Sequence, residues 1–257
     1  MKKQTISLLL TIIVFSLACQ SLFPASREGA VISDCAKIVD SIGNIQPGEV
    51  PQHLMDTGIK TGDEFEANEY FDVLDHVSMQ EGYVLDYVYP VESLGSSPVL
   101  YARPEDEPPY ASMEDIPQNT DLPDFRNHMV VDDMEQGYFE YVAMDIMAGQ
   151  FYLVWHANYN DTQIVCNSGE VDDIISAVNS GGFGNKFDLA QQTKARTMRN
   201  IESLVNLTDD SATVQVVIFT KWGGFYRLTY EISRSFPHTI LDVKEENLVP
   251  YDCGIMF

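Results

Sequence analysis

Two apolar runs near the carboxyl-terminal end, residues 213–222 and 225–233, meet at the pair Gly223-Gly224. Glycine reaches positive φ without a Cβ penalty, and a two-residue hairpin turn needs that freedom at both central positions. The spacing predicts an antiparallel hairpin closed by Trp222 and Phe225, with Phe219 opposite Leu228 and Val217 opposite Tyr230. Those four side chains are expected to face the core. The face carrying Ile218, Thr220, Arg227 and Thr229 is expected to be the more polar. A further strand follows Pro237, with Leu241 and Val243 inward and Asp242 and Lys244 outward. Trp222 and Phe225 flank the turn, so they are the candidate aromatics for ligand contact, against the commoner use of strand aromatics in sheet packing.

The same half holds more strand signals. Residues 138–147 and 151–157 alternate and are joined at Ala148-Gly149, and residues 162–166 form another strand, which makes a meander. One helix interrupts it: Asn167 supplies the cap, Val171, Ile174, Ile175 and Val178 the apolar stripe, and Gly181-Gly182 the stop. A shorter helix spans 188–198. In the first half, Val31, Cys35, Ile38, Val39 and Ile42 predict a helix over 28–42 closed by Gly43. Asp63 and Glu66 form a capping pattern for a helix over 64–78. The period-two run from Tyr83 to Tyr89 is expected to pair with residues 98–103. Residues 104–125 concentrate Pro104, Pro108, Pro109, Pro117 and Pro123 among acidic side chains, as a linker or a flap, with the linker favoured. The expected fold class is α+β, with an acidic, helix-rich subdomain over 28–103 and an antiparallel sheet with flanking helices over 126–257.

The amino terminus carries an address. Lys2 and Lys3 precede an uncharged apolar run from Ile6 to Ala18, too short at 1.5 Å per helical residue to cross about 30 Å of hydrocarbon. It reads as an export signal over 1–18. The segment Phe15-Ser16-Leu17-Ala18-Cys19 that ends it resembles the lipobox of bacterial lipoproteins, in which the cysteine after a small residue is lipidated and becomes the first residue of the mature chain. The resemblance implies a diacylglyceryl group on Cys19, accepted by its thiolate, and anchoring by buried methylenes at about 0.8 kcal/mol each. It implies that the partner of Cys19 is membrane lipid and that the chain lies outside the cytoplasm on a tether over 19–27. The plainer alternative is an ordinary leader cleaved near Ala18.

Charge excludes a further class. The chain has a formal net charge of −24, so a nucleic-acid backbone would be repelled. Between positions 19 and 150 there are 5 basic and 26 acidic residues, against 8 and 13 beyond, so the acidity belongs to the first half. Lys186, Lys194, Arg196 and Arg199 cluster in the other half, where they are expected either to be solvated or to meet the acidic one.

Catalytic signatures are scarce. There is no Walker loop, nucleophile elbow or Ser-x-x-Lys pair, and the five histidines are never three to five residues apart, so no metal ligands are assigned and no cofactor is expected. Asp63-Glu64, Asp132-Asp133 and Asp172-Asp173 lack the glycine and the twelfth-position glutamate of a calcium loop. Apart from Cys19, the cysteines are Cys35, Cys166 and Cys253, and the expected disulfide is Cys166 with Cys253, leaving Cys35 as a small hydrophobe on its helix. A competing use makes Cys166 a thiol nucleophile with His156 or His238 as base. The resulting expectation is a lipid-anchored envelope protein with a non-catalytic binding or structural role, its partner an envelope protein or extracellular ligand. The alternatives are a hydrolase with a site assembled from distant residues and a calcium-dependent adhesion or stability module.

Overall fold

The computed structural model describes residues 29–92, 95–155, 162–182 and 184–254. In chain order its strands are β1 (Ala30–Val31), β2 (Val77–Met79), β3 (Tyr83–Val88), β4 (Gly95–Ser96), β5 (Val99–Pro104), β6 (Met129–Val131), β7 (Val154–Trp155), β8 (Gln163–Val165), β9 (Leu204–Leu207), β10 (Ser211–Thr220), β11 (Gly224–Ser233) and β12 (Ile240–Pro250). The α-helices are α1 (Cys35–Ile45), α2 (Gln52–Thr57), α3 (Tyr70–Val73), α4 (Glu135–Met147), α5 (Ser168–Ser180) and α6 (Leu189–Arg196). The fold is α+β. Its main sheet is antiparallel in the order β1-β9-β10-β11-β12, with β8 pairing the far end of β10 beside β9. Three two-stranded pairs, β2 with β6, β3 with β5 and β4 with β7, complete the described strands.

The β10–β11 hairpin forms where the apolar runs predict it, but in another register. Thr220 pairs with Gly224, so Lys221, Trp222 and Gly223 make a three-residue turn and Phe219 faces Phe225. Gly224 takes φ +93°, and a Cβ there would lie 2.0 Å from the Val249 carbonyl oxygen, so one glycine of the pair is spent on the approach of β12 rather than at the centre of a tight turn. Phe219 and Leu228 consequently lie on opposite faces, not together. Ala212, Val214, Val216 and Ile218 join Leu228 and Tyr230 in one core, while Val217 and Phe219 join Phe225 and Val249 in a second. The stretch of β10 from Val216 to Phe219 is thus buried on both sides, which is why that part of its sequence reads as a run and not as an alternation.

The first core is built around α4. Tyr138, Phe139, Tyr141, Val142, Ala143 and Met144 are all buried, so residues 138–147 are a helix enclosed on every side and not the expected strand. A helix apolar all round has no 3.6-residue stripe to reveal it, and Ala143, Met144 and Met147 suit the helical backbone. Two other elements also shift. The amino-terminal part of the expected helix over 28–42 is instead β1, pairing Ala30 with Val205, and α1 runs through Gly43 to Ile45. Of the helix expected over 64–78, a 3-10 turn (Ala67–Glu69) and the single turn α3 remain. The chain then extends into β2, whose Val77 pairs with Val131.

The second core lies on the other side of the sheet, beneath α5 and α6. Asn167 caps α5 as expected, its Oδ1 accepting from the amides of Gly169 and Glu170 at 2.9 and 3.2 Å. β12 borders this body as a mostly exposed strand: Leu241 and Val243 are 57% and 38% exposed rather than inward, and Val249 is its buried apolar residue. Residues 104–125 do not separate two cores, since the first core draws residues from both sides of them. They lie against the body through Lys60 N–H to the Ala111 carbonyl at 2.8 Å and Ala102 N–H to the Pro123 carbonyl at 3.0 Å.

The disulfide joins Cys35 to Cys166, with Cα atoms 5.7 Å apart, and Cys253 is a free, buried thiol. This corrects the expected pairing of Cys166 with Cys253. Alternation along β8 sends Val165 into the second core and Cys166 into the first, where Cys35 opens α1, whereas Cys253 belongs to the second core on the opposite face.

Candidate functional site

The β3–β5 pair, expected from its alternation, carries the most distinctive polar group in the fold. Leu85, Tyr87 and Tyr89 point to the first core, and Asp86, between them, is drawn the other way. Across the ladder Val84 pairs with Arg103 and Asp86 with Tyr101, which sets Asp86 and Arg103 diagonally on one face. The third member arrives from a loop. α2 ends at Gly58 in the left-handed region, φ +68°, where a Cβ would meet the Tyr89 carbonyl oxygen at 2.6 Å, and this close turn over the hairpin delivers Lys60. Lys60 Nζ donates to Asp86 Oδ1 at 2.5 Å, and Arg103 Nε to Oδ2 at 3.1 Å. The three side chains are 12%, 11% and 17% exposed in the order Lys60, Asp86, Arg103. A nearly buried carboxylate is therefore held by two cations, the arrangement that makes such a charge tolerable away from water. Asp86 Oδ1 also accepts the Tyr87 amide at 2.7 Å.

The loop that brings Lys60 is itself organised by a carboxylate. Glu64 Oε1 accepts from the Thr61 amide at 2.8 Å and contacts His53 Nε2 at 2.5 Å, while Oε2 accepts from the Gly62 amide at 2.8 Å. Burial pushes the Glu64 carboxyl up, but the His53 bond and the loop amides outweigh it and hold the pKa at about 2. Asn68 then pins the loop to β3, its side chain accepting from Leu85 N–H at 2.8 Å and donating to the Leu85 carbonyl at 2.9 Å. These elements enclose a cleft of about 450 Å³ lined by Lys60, Glu64, Phe65, Tyr87, Arg103 and Tyr110 among others.

Tyr87 is the anomaly in it. Its ring packs edge-on against Phe151 with centroids 4.9 Å apart, and Lys60 Nζ stands 4.6 Å from its centroid. The residue is only 2% exposed, yet its hydroxyl has no hydrogen-bond partner among the described residues. Burial, and then the neighbouring Tyr152, Glu64 and Asp86, raise its pKa far above the usual phenol range, so the proton stays on the oxygen. Its neighbour Tyr101 is raised by burial in the same way, and its hydroxyl accepts the Tyr110 amide at 3.1 Å.

Two other polar clusters are paired internally. Arg126 donates to Asp124 at 2.7 Å and to Asp145 at 2.9 Å, and Asp145 also accepts from the Tyr230 hydroxyl at 3.0 Å. Glu140, 1% exposed, accepts the His76 amide at 2.7 Å and the Gln136 side chain at 2.9 Å. Among the described residues no three His, Cys, Asp or Glu side chains converge as a metal ion would require.

The residues singled out by sequence are scattered. Cys19 and His156 lie outside the described residues. Cys166 is spent on the disulfide with Cys35 and so is no thiol nucleophile for His238, itself bonded through Nδ1 to the Ser233 carbonyl at 3.2 Å. Phe225 is fully buried between Phe187 and Phe219 and cannot meet a ligand, a correction that follows from the register shift. Trp222 is half-buried against the second core and borders a shallow cleft of about 250 Å³ with Tyr226. Arg196 pairs with Asp172 at 2.7 Å, within its own half of the chain. Sequence reading missed Lys60, Asp86, Tyr87 and Arg103 as a group. The readable signal was the diagonal charge pair that the 83–89 and 98–103 runs imply once paired. Compared with known protein families, with curated proteins and with solved structures, the chain matches none.

Proposed function

We propose that this is an exported, lipid-anchored envelope protein that binds a small ligand without transforming it, and that the cleft beside Asp86 is its binding site. The observation that carries the reading is the division of labour in the cleft: its buried carboxylates are committed to internal partners, while the Tyr87 hydroxyl is not. A general base needs a pKa near the working pH and a free lone pair. Glu64 at about 2 is a poor base, and Asp86 is occupied by two cations. The cleft therefore offers recognition rather than proton transfer. The leader and Cys19 support the address, and the Cys35–Cys166 disulfide agrees with an oxidising compartment.

Two measurements test this. Cys19→Ala should move the protein from the membrane to the soluble fraction, and a mutant that stays with membranes would refute the anchor. A small molecule carried by protein taken from its native cell should be recovered with unchanged mass after prolonged incubation. Accumulation of a product would turn the reading to catalysis.

A further inference from the structure

The cleft's polar inventory also indicates what kind of ligand it takes. The Glu64 oxygens are filled by His53, Thr61 and Gly62, and those of Asp86 by Lys60, Arg103 and the Tyr87 amide. Glu66 is exposed and tied to the Asn68 amide at 2.6 Å. Arg103 Nη1 is turned away to the carbonyls of Pro104 and Glu107. Every oxygen of the two buried carboxylates thus has at least one internal donor, whereas Lys60 and the Tyr87 hydroxyl keep donors to spare. Lys60 gives Asp86 one of its three ammonium protons and has no other acceptor among the described residues, and the Tyr87 hydroxyl has none.

We propose that the cleft binds a small organic carboxylate whose two oxygens bridge Lys60 Nζ and the Tyr87 hydroxyl, an inference that rests on reading the cleft as a binding site. Lys60 Nζ stands 4.6 Å from the centre of the Tyr87 ring, and both residues line the cleft, so the two donors lie side by side along its wall. Lys60 and Arg103 face Asp86, Glu64 and Glu66 along the lining, so the cleft has no surplus of positive charge. A carboxylate would be held by its direct bonds to the two donors, of which the charge-assisted one to Lys60 is of the strong kind. Phe65, Pro109 and Tyr110 supply apolar walls for the body of such a molecule, in a volume suited to a small one. The unpaired hydroxyl is the mark of the site, because a buried donor without an acceptor destabilises the free protein and is satisfied only when the ligand enters.

The test uses the full chain in detergent with three probes of one shape: benzoate, benzamide and benzylammonium, titrated by calorimetry at matched ionic strength. Benzoate is expected to bind, benzamide roughly tenfold or more weakly, and benzylammonium not at all. Tyr87→Phe should weaken benzoate by about tenfold while leaving the melting temperature unchanged or higher, since it deletes an unpaired group. Lys60→Met should abolish benzoate binding, with Arg126→Met, at a separate cluster, leaving it intact. Equal binding of benzamide or benzylammonium would overturn the carboxylate and leave the cleft a binding site of another class. Failure of all three probes would overturn the site itself. A Tyr87→Phe protein of lowered stability would mean that the hydroxyl is already bonded in the free protein, and the bridge would be wrong.

Discussion

Glu64 keeps its charge although burial pushes its pKa upward, so its pairing is a stability device that pH can switch off. Its folded pKa of about 2 lies below the ordinary 4.5, and the stabilisation is complete above pH 4.5 and lost as pH falls toward 2. Glu64→Gln should cost roughly 1 to 3 kcal/mol at neutral pH, with the difference from wild type closing across that acid window in urea melts. A gap that stayed constant down to pH 2 would show that the carboxylate charge contributes nothing. At this scale the sequence was partly legible. Asp86 and Arg103 fall on facing strands that alternation reveals, so their meeting follows from pairing. Lys60 was hidden, because a loop lysine 26 residues from its partner has no periodicity, and only the turn at Gly58 places it.

Among the elements, the long hairpin shows how a correct strand assignment can carry a wrong register. The two runs and the glycines identify β10 and β11, but the turn geometry depends on β12 lying over Gly224, a contact of distant sequence origin. Gly224→Ala should therefore destabilise strongly, through both the positive φ and the clash with the Val249 carbonyl oxygen, whereas Gly182→Ala, with nothing near its Cβ position, should be close to neutral. Phe219→Ala should cost about 3 to 5 kcal/mol, measured by equilibrium denaturation, because Phe187, Phe225 and Tyr251 close around it. The helix α4 was illegible for the opposite reason. A fully enclosed helix lacks the one-sided stripe that marks a helix in sequence, and what distinguishes it from a strand is the tertiary packing on all sides of Tyr138 and Val142. By contrast α5 is amphipathic and capped, and its sequence announces it.

For the whole molecule, the two cores sit back to back across one sheet, and the disulfide fastens the opening of α1 to the end of β8. Its partners are 131 residues apart, and in a chain-entropy account so long a closed loop stabilises by about 4 to 5 kcal/mol. Replacing both cysteines by serine should lower stability by about 2 to 5 kcal/mol, and reductant should reproduce the loss in the wild type but not in the double mutant. Equal stability of the two proteins would mean that the crosslink only records proximity. The pairing itself was beyond sequence reading, since three internal cysteines allow three bridges and only the faces of the finished sheet choose among them. The same bond makes a covalent ring of everything from Cys35 to Cys166, with the acidic, proline-rich stretch on its perimeter. A protease that severs that stretch once opens the ring without releasing a fragment, so the nicked protein keeps its mass on a gel run without reductant and falls into two pieces only when the sulfurs are parted.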